Sequence, residues 1–299
     1  MKPKVSVVIP VYNGEKTLRQ CLSSLLKQTY RNYEIVIVNN NSTDRTKEII
    51  DDFQSRDKRI KCIFECRKGR GNARNVGLES AKEKIIISTD SDCIFYPDWI
   101  ENLTEPIRKE NEIAVQGGEE PVFINFWTRE AQKNTDLFMQ SLSEGKYIVH
   151  IDTKNFAILK KVLLEFKTKN GIFNPSVNYA DDLEFESRFF MKNHRVRYMP
   201  LCKIKHYHYS SFSRLAKSEY GKGYDATKIY FKMRNSKYAE ANAFKCSGSL
   251  VEFLGFFPWH IFLWLSGRKT FANMIYTIMQ GCSWRAGVFM AYFDLKRIK

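Results

Sequence analysis

Acidic residues are scarce at the C-terminal end of this chain. Only 5 of the 33 Asp and Glu residues fall in residues 188–299, against 20 of the 48 Lys and Arg, so residues 1–187 are balanced at 28 of each sign and the end carries the whole net charge of +15. A neutral body with a basic end points to an anionic partner, a membrane leaflet or nucleic acid. Paired cysteines are lacking too. The seven cysteines (Cys21, Cys62, Cys66, Cys93, Cys202, Cys246, Cys282) are odd in number and form no Cys-x-x-Cys pair, which argues against a disulfide frame or a zinc site and for reduced core residues. No apolar run reaches the roughly 20 residues that span a bilayer. Leu250–Leu265 and the uncharged Thr270–Trp284 fall short, Arg268-Lys269 separates them, and Pro258, Gly267 and Gly281 interrupt them. Their tryptophans, Trp259, Trp264 and Trp284, suit helices lying in the membrane interface. A hydrophobic cap on the domain, an oligomer face or a re-entrant hairpin are the alternatives. Charge placed beside such apolar stretches fits a membrane better than nucleic acid. There is no internal repeat, and Met1-Lys2-Pro3-Lys4 leads straight into a strand-like run, a reading without a signal peptide.

What is present is a chain of 299 residues, 43% hydrophobic, with strand and helix patterns that alternate over its first 120 residues. Val5–Ile9, Ile35–Val38, Ile60–Phe64, Ile85–Ile87 and Ile113–Gln116 read as strands. Lys16–Lys27, a segment capped at Ser42 or Thr43 and running through Phe53, Ala73–Ala81 and Asp98–Glu110 read as helices. This order predicts an α/β fold with a doubly wound, mostly parallel sheet flanked by helices. Beyond Gly117 the pattern is mixed, with expected helices at Ala157–Phe166 and Asp182–Lys192 and a strand near Val196–Met199.

Behind Ile85-Ile86-Ile87-Ser88 stands Thr89-Asp90-Ser91-Asp92. Ligands of open α/β sheets sit beyond the carboxyl ends of strands, and two carboxylates there form a hard-oxygen site suited to Mg²⁺ or Mn²⁺. By itself an Asp-x-Asp is more often a loop or cap feature, but three further blocks accompany it. Val5-Ser6-Val7-Val8-Ile9-Pro10-Val11-Tyr12-Asn13 opens the chain, and Asn39-Asn40-Asn41-Ser42-Thr43-Asp44 ends the second strand. The block that holds Asp90-Ser91-Asp92 itself runs from Gly71-Asn72-Ala73-Arg74-Asn75-Val76-Gly77-Leu78, and the last, Asp181-Asp182-Leu183-Glu184-Phe185-Glu186-Ser187-Arg188, comes before Pro200 and His206. In order and spacing these blocks resemble the inverting glycosyltransferases of family 2, with a GT-A fold.

The resemblance implies a metal-dependent transfer of sugar from a nucleotide-sugar. Asp92 would be the metal ligand, with Asp90 facing the ribose and the ion's hydration shell, and His206 completing the site; His208 lies two residues away. Pro10, Tyr12, Asn13, Asn39, Asn41, Arg74, Asp90 and Ser91 would contact the donor, Arg74 through its phosphates. Asp182 falls on the family's catalytic base, Asp181 replaces the usual glutamate before it, and Asn155 matches a position near the acceptor. Where the family commonly has aspartate the chain has Asn39, and an amide both donates and accepts. It can pair with uracil or thymine on two atoms, whereas guanine's adjacent N–H donors suit a carboxylate, so a UDP- or dTDP-sugar is expected. Asp44 could merely brace the following helix.

The expected organisation is a catalytic domain over 1–210 and a basic, apolar, aromatic helical extension over 211–299. Within the first, 1–117 forms the nucleotide-sugar-binding half and 118–210 the acceptor half. The expected enzyme works at the cytoplasmic face of a membrane, peripheral or monotopic, with a lipid-linked or glycan acceptor and no nucleic-acid partner. An oligomer could form through the C-terminal apolar helices. The alternative is a non-catalytic nucleotide-sugar binder docked at the membrane as partner of another transferase, which the retained Asp90, Asp92 and Asp182 disfavour.

Overall fold

A computed structural model describes residues 4–123, 125–209, 211–233, 250–267 and 269–297. Cys246, Arg268 and Met1-Lys2-Pro3 lie outside the described residues. The elements in chain order are β1 (Val5–Val11), α1 (Leu18–Leu26), β2 (Tyr33–Asn39), α2 (Thr46–Arg56), β3 (Ile60–Phe64), α3 (Arg70–Ser80) and β4 (Ile85–Thr89). There follow β5 (Cys93–Phe95), α4 (Trp99–Lys109), β6 (Ala114–Pro121), α5 (Phe126–Ser141), β7 (Ser143–Glu144), β8 (Tyr147–Ile148) and β9 (Asn155–Leu159). The remainder is α6 (Lys160–Leu164), α7 (Asp181–Met191), β10 (Val196–His206), α8 (Phe212–Met233), α9 (Leu250–Leu265) and α10 (Phe271–Arg297).

The strands form one sheet in the order β3-β2-β1-β4-β9-β6-β10-β8-β7, with β5 pairing β10. Strands β3, β2, β1 and β4 are parallel neighbours. Strand β9 is antiparallel to both β4 and β6, and β6 is parallel to β10. Strands β3, β2, β1, β4, β6 and β10 therefore run one way, and their carboxyl ends share one edge of the sheet. The side chains explain why these runs are continuous rather than alternating. Val5, Val7 and Ile9 join the core under α1, α2 and α4, while Val8 joins the opposite core under α3 and α7. Ile85 and Ile87 divide from Ile86 in the same way. Strands covered on both faces need apolar residues at every position.

Two expected elements differ. Residues 157–166 do not form one helix: Asn155–Leu159 is the reversed strand β9, and only Lys160–Leu164 is helical. A short apolar run suits either state, and here the gap between β4 and β6 supplies two ladders and two apolar faces that override local preference. The second helix begins at Thr46, because the Ser42 hydroxyl is turned to the Asn13 N–H (3.0 Å) rather than capping a helix. Helix α5 was not expected; the reciprocal Asn125–Thr128 bonds that start it form a capping box. Of the described cysteines, Cys21, Cys93 and Cys202 are core residues, but Cys66 is exposed.

The C-terminal helices are packed into the body. Helices α8 and α10 approach so closely that a Cβ on Gly287 would lie 1.9 Å from the Tyr220 carbonyl oxygen, and Tyr224 donates to Asp294 (2.7 Å). Asn273 of α10 donates to the fully buried Glu130 of α5 (3.0 Å). At their other side they leave apolar rings in solvent, among them Trp259 (54% exposed), Phe262 and Phe271, with Leu265 at 71%. No helix among the described residues is long and apolar enough to cross a membrane.

One buried amide fastens the long connection between α6 and α7. Asn75 of α3 accepts the N–H groups of Ile172 and Phe173 (2.9 and 2.8 Å) and donates to the carbonyls of Asn170 and Phe173 (3.3 and 2.8 Å). Asn75→Ala leaves these groups without their partner, at about 1–3 kcal/mol for each that stays dry. The expected outcome is a urea midpoint lowered by an amount equivalent to roughly 2–4 kcal/mol at unchanged m-value.

Candidate active site

The carboxyl edge of the sheet gathers most of the residues singled out in the sequence. After β1, Pro10 leads to Tyr12, whose ring is 51% exposed with Lys68 Nζ 5.6 Å from its centroid. Asn13 and Asn41 hold positive φ angles of 51° and 58°, a conformation that asparagine tolerates better than most residues. The Asn13 side chain accepts the Thr43 N–H (2.8 Å), and Asp44 accepts the N–H groups of Glu15 and Thr46 (both 3.0 Å). The turns after β1 and β2 thus form one braced rim, and Asp44 is a brace. Asn39 is buried at the end of β2, and its Oδ1 accepts the Ser42 N–H (3.0 Å).

Strand β4 delivers Asp90, Ser91 and Asp92, all partly exposed. The antiparallel pairing of β5 with the end of β10 then sets Cys93 opposite His206. As a result His206 Nε2 lies 3.7 Å from Asp92 Oδ1, while its Nδ1 lies 3.3 Å from Glu119 Oε2 on β6. Lys154 Nζ approaches the same glutamate oxygen at 3.2 Å and also pairs with Asp152. Burial alone would lower the basicity of His206, but Asp92 and then Glu119 raise its pKa to about 10. Burial likewise works to raise Asp92, and the facing His206 more than offsets it. Burial, with the neighbouring His206 and Lys154, brings His208 down to about 4 despite Glu119.

Mg²⁺ or Mn²⁺ can be tested against this donor set. Ligand atoms of Glu119, His206 and His208 lie within 4.8 Å of one another. Glu119, however, is held by Lys154, and His208 Nε2 already contacts Gln132 Oε1 at 2.9 Å. Asp92 and His206 Nε2 are the more available pair. His206 Nδ1 and Glu119 Oε2 are both buried and lie 3.3 Å apart. Their facing positions match a carboxylate that orients a metal-binding histidine from behind. A carboxylate with one imidazole suits Mn²⁺ well, and His206 must give up a proton to bind it.

Asp181 and Asp182 open α7 on the other side of the site. Arg74, 3% exposed, is not at a donor-phosphate position as expected: its guanidinium bonds Asp90 Oδ1 (3.1 Å) and pairs with Asp181. Asp182 is left without that partner. Burial first, then the charges of Asp181 and Asp152, raise its pKa to about 6. Asn155 is a second correction. It is 1% exposed at the start of β9, accepts from Trp99 Nε1 (2.9 Å) and donates to the carbonyls of Gly118 and Cys202 (2.7 and 2.9 Å), so its amide ties strands together and does not face an acceptor.

Sequence reasoning missed Glu119, Lys154 and Asp152. Glu119 follows the expected strand Ile113–Gln116, so the strand-end rule applied to Asp90 reaches it equally; nothing in the sequence marks Lys154. For Arg74 the burial makes a direct test. Arg74→Met strands the buried Asp181 carboxylate and should cost about 3–5 kcal/mol of stability, measured by urea unfolding.

Comparison with known proteins agrees with this geometry. The family model described as Glycosyl transferase family 2 matches residues 6–166. Glycosyltransferase GlyG of Streptococcus pneumoniae is 38% identical over 192 residues, 64% of this chain and 55% of that protein, so the chain spans little more than half of that relative's length. Mannosyltransferase PcManGT from Pyrobaculum calidifontis, solved in complex with GDP-Man and Mn²⁺, superposes with a TM-score of 0.70 at 17% identity over 98% of this chain and 88% of that one. Glucosyl-3-phosphoglycerate synthase from Mycobacterium tuberculosis, solved with Mn²⁺, UDP-glucose and phosphoglyceric acid, gives 0.57 at 16% identity over 77% of this chain and 80% of that one. At such identities the structural likeness speaks for the fold, which is GT-A. With more than half of its length matched by the family model, the chain belongs to glycosyl transferase family 2.

Proposed function

We propose that this enzyme moves a sugar, with inversion, from a UDP-sugar to an acceptor hydroxyl or phosphate in a reaction that requires Mg²⁺ or Mn²⁺. One observation carries the reading. A single guanidinium, Arg74, joins Asp90 on the donor side to Asp181 beside the proposed base, so the two halves of the site are held at a set separation. The Mn²⁺-containing complexes of PcManGT and glucosyl-3-phosphoglycerate synthase support the metal requirement.

In this mechanism Asp92 and His206 would hold the ion, which would supply positive charge against the departing diphosphate. Glu119 orients the His206 ring from behind. Asp182 takes the acceptor proton as the acceptor oxygen attacks the anomeric carbon and the carbon–phosphate oxygen bond breaks on the opposite face. Its raised pKa of about 6 keeps it ionised at neutral pH yet basic enough to share a proton in the transition state. One carboxylate suffices, because inversion needs no covalent intermediate.

The preference for uracil follows from Asn39. Its oxygen serves Ser42, so toward a base it acts chiefly as a donor, which suits a uracil carbonyl and not the N–H edge of guanine. The acceptor is proposed to be lipid-linked or a glycan, met at the cytosolic face of a membrane. The basic charge of residues 188–299 and the exposed Trp259, Phe262, Leu265 and Phe271 support that location.

A panel of nucleotide-sugars screened for metal-dependent hydrolysis tests the activity. Asp182→Asn should cut turnover by roughly 10²–10⁴-fold while UDP–Mn²⁺ affinity stays near wild type, and Asp92→Ala should weaken both. GDP binding more tightly than UDP in calorimetry would overturn the uracil assignment. Turnover should rise with pH through an apparent pKa of about 6 and then level, falling to roughly a tenth of its plateau one unit below. The protein should sediment with anionic liposomes and not with neutral ones; equal behaviour with both would sink the electrostatic part of the membrane proposal.

A further inference from the structure

The segment that leads into α7 has no regular structure of its own, and it is held from the C-terminal helices. The backbone N–H groups of Asn178 and Tyr179 both donate to one oxygen, Asp225 Oδ2, at 2.8 and 2.7 Å. Asp225 is on α8 and 5% exposed. One turn before it, Gly221 makes room for the Tyr179 ring, since a Cβ there would lie 2.4 Å from that ring. One turn after it, Ile229 packs with Val177 and Ala180, and Leu183 of α7 lies against the three. Residues 221, 225 and 229 form a single stripe along α8. That stripe receives the chain on both sides of Asp181-Asp182.

We propose that Asp225 is a positioning residue for Asp182, and that α8 belongs to the catalytic apparatus through this stripe. The inference rests on the reading of Asp182 as the base. Asp225 touches neither Asp182 nor the residues assigned to donor or metal; it acts through two amides three and four residues ahead of the base. A carboxylate is suited to this task because one oxygen can accept from two successive N–H groups in a buried place. The close approach of α8 to α10 in turn fixes the stripe, through Gly287 against Tyr220 and Tyr224 against Asp294. The helices proposed to meet the membrane are thereby continuous with the segment that aims the base.

The test compares the full-length wild type with D225N, D225L, G221A and D182N. The readouts are hydrolysis of the fastest-cleaved member of a UDP-sugar panel, Mn²⁺–UDP calorimetry, and amide exchange of the peptide covering 174–183. D225L should lose roughly tenfold or more in kcat, since small misplacements of a catalytic group are costly, while donor KM and Mn²⁺–UDP affinity stay within about twofold. Exchange in 174–183 should quicken. D225N, whose amide oxygen can still accept both N–H groups, should restore most of the rate and the protection. G221A should lower kcat in the same sense by displacing Tyr179, and it keeps the question open to test even if D225L does not fold. Wild-type kcat in D225L or G221A would overturn the proposal, as would a kcat loss without quicker exchange at 174–183. Turnover surviving in D182N would instead overturn the reading of the base, and the exchange data would still report on the tether.

Discussion

A buried guanidinium organises this active site. Arg74 sits on α3 under both halves of the site and binds Asp90 on one side and Asp181 on the other. Taking such charges out of water is expensive, and mutual pairing recovers the cost only when the geometry is closely kept. That requirement works as a constraint. The donor-side carboxylates behind β4 and the start of α7 cannot drift apart without exposing an unpaired charge to a dry interior. Asp182, one residue beyond the pair, forms no ion pair among the described residues, and burial with its acidic neighbours raises its pKa despite Arg74 and His150.

Around that pair the molecule supplies two further restraints of different chemistry. Behind β4, charges alternate from Asp92 to His206, Glu119, Lys154 and Asp152, each within ion-pair reach of the next. Neighbours of opposite sign keep these groups ionised in a place where isolated charges would not survive. Ahead of α7, hydrogen bonds to the backbone do the holding: Asn75 grips the 170–173 turn and Asp225 grips Asn178 and Tyr179. The long loop between α6 and α7 is thus fixed at both ends, from α3 and from α8, without regular structure of its own.

The donor half was legible because its code is local. Unbroken β-branched runs signal strands covered on both faces, and carboxylates placed just behind them fall at the carboxyl edge whatever the rest of the chain does. Asp90 and Asp92 follow β4 in this way, and Asp182 stands in the first turn of α7. The reading failed where neighbours distant in sequence decide. Residues 157–166 looked helical because a short apolar run carries no period, and the vacant lane between β4 and β6 made its first part a strand. Arg74 looked like a phosphate ligand because a helix start and a guanidinium favour anions; the anions it meets are Asp90 and Asp181. Asn155 looked available and is spent on Trp99, Gly118 and Cys202.

The sequence by itself determined the alternation of the first half, the acidic pair behind β4, the acidic pair at the head of α7 and the basic, aromatic character of the end. Each of these depends on residue type and short spacing, which the linear order carries in full. Only the tertiary structure decided that His206 faces Asp92, that Glu119 and Lys154 back that pair, and that α8 holds the chain ahead of α7 through Asp225. Those are contacts between residues about 35 to 115 positions apart. They are set by strand order, by the one reversed strand and by the close crossing of α8 with α10, and nothing local to either partner announces them.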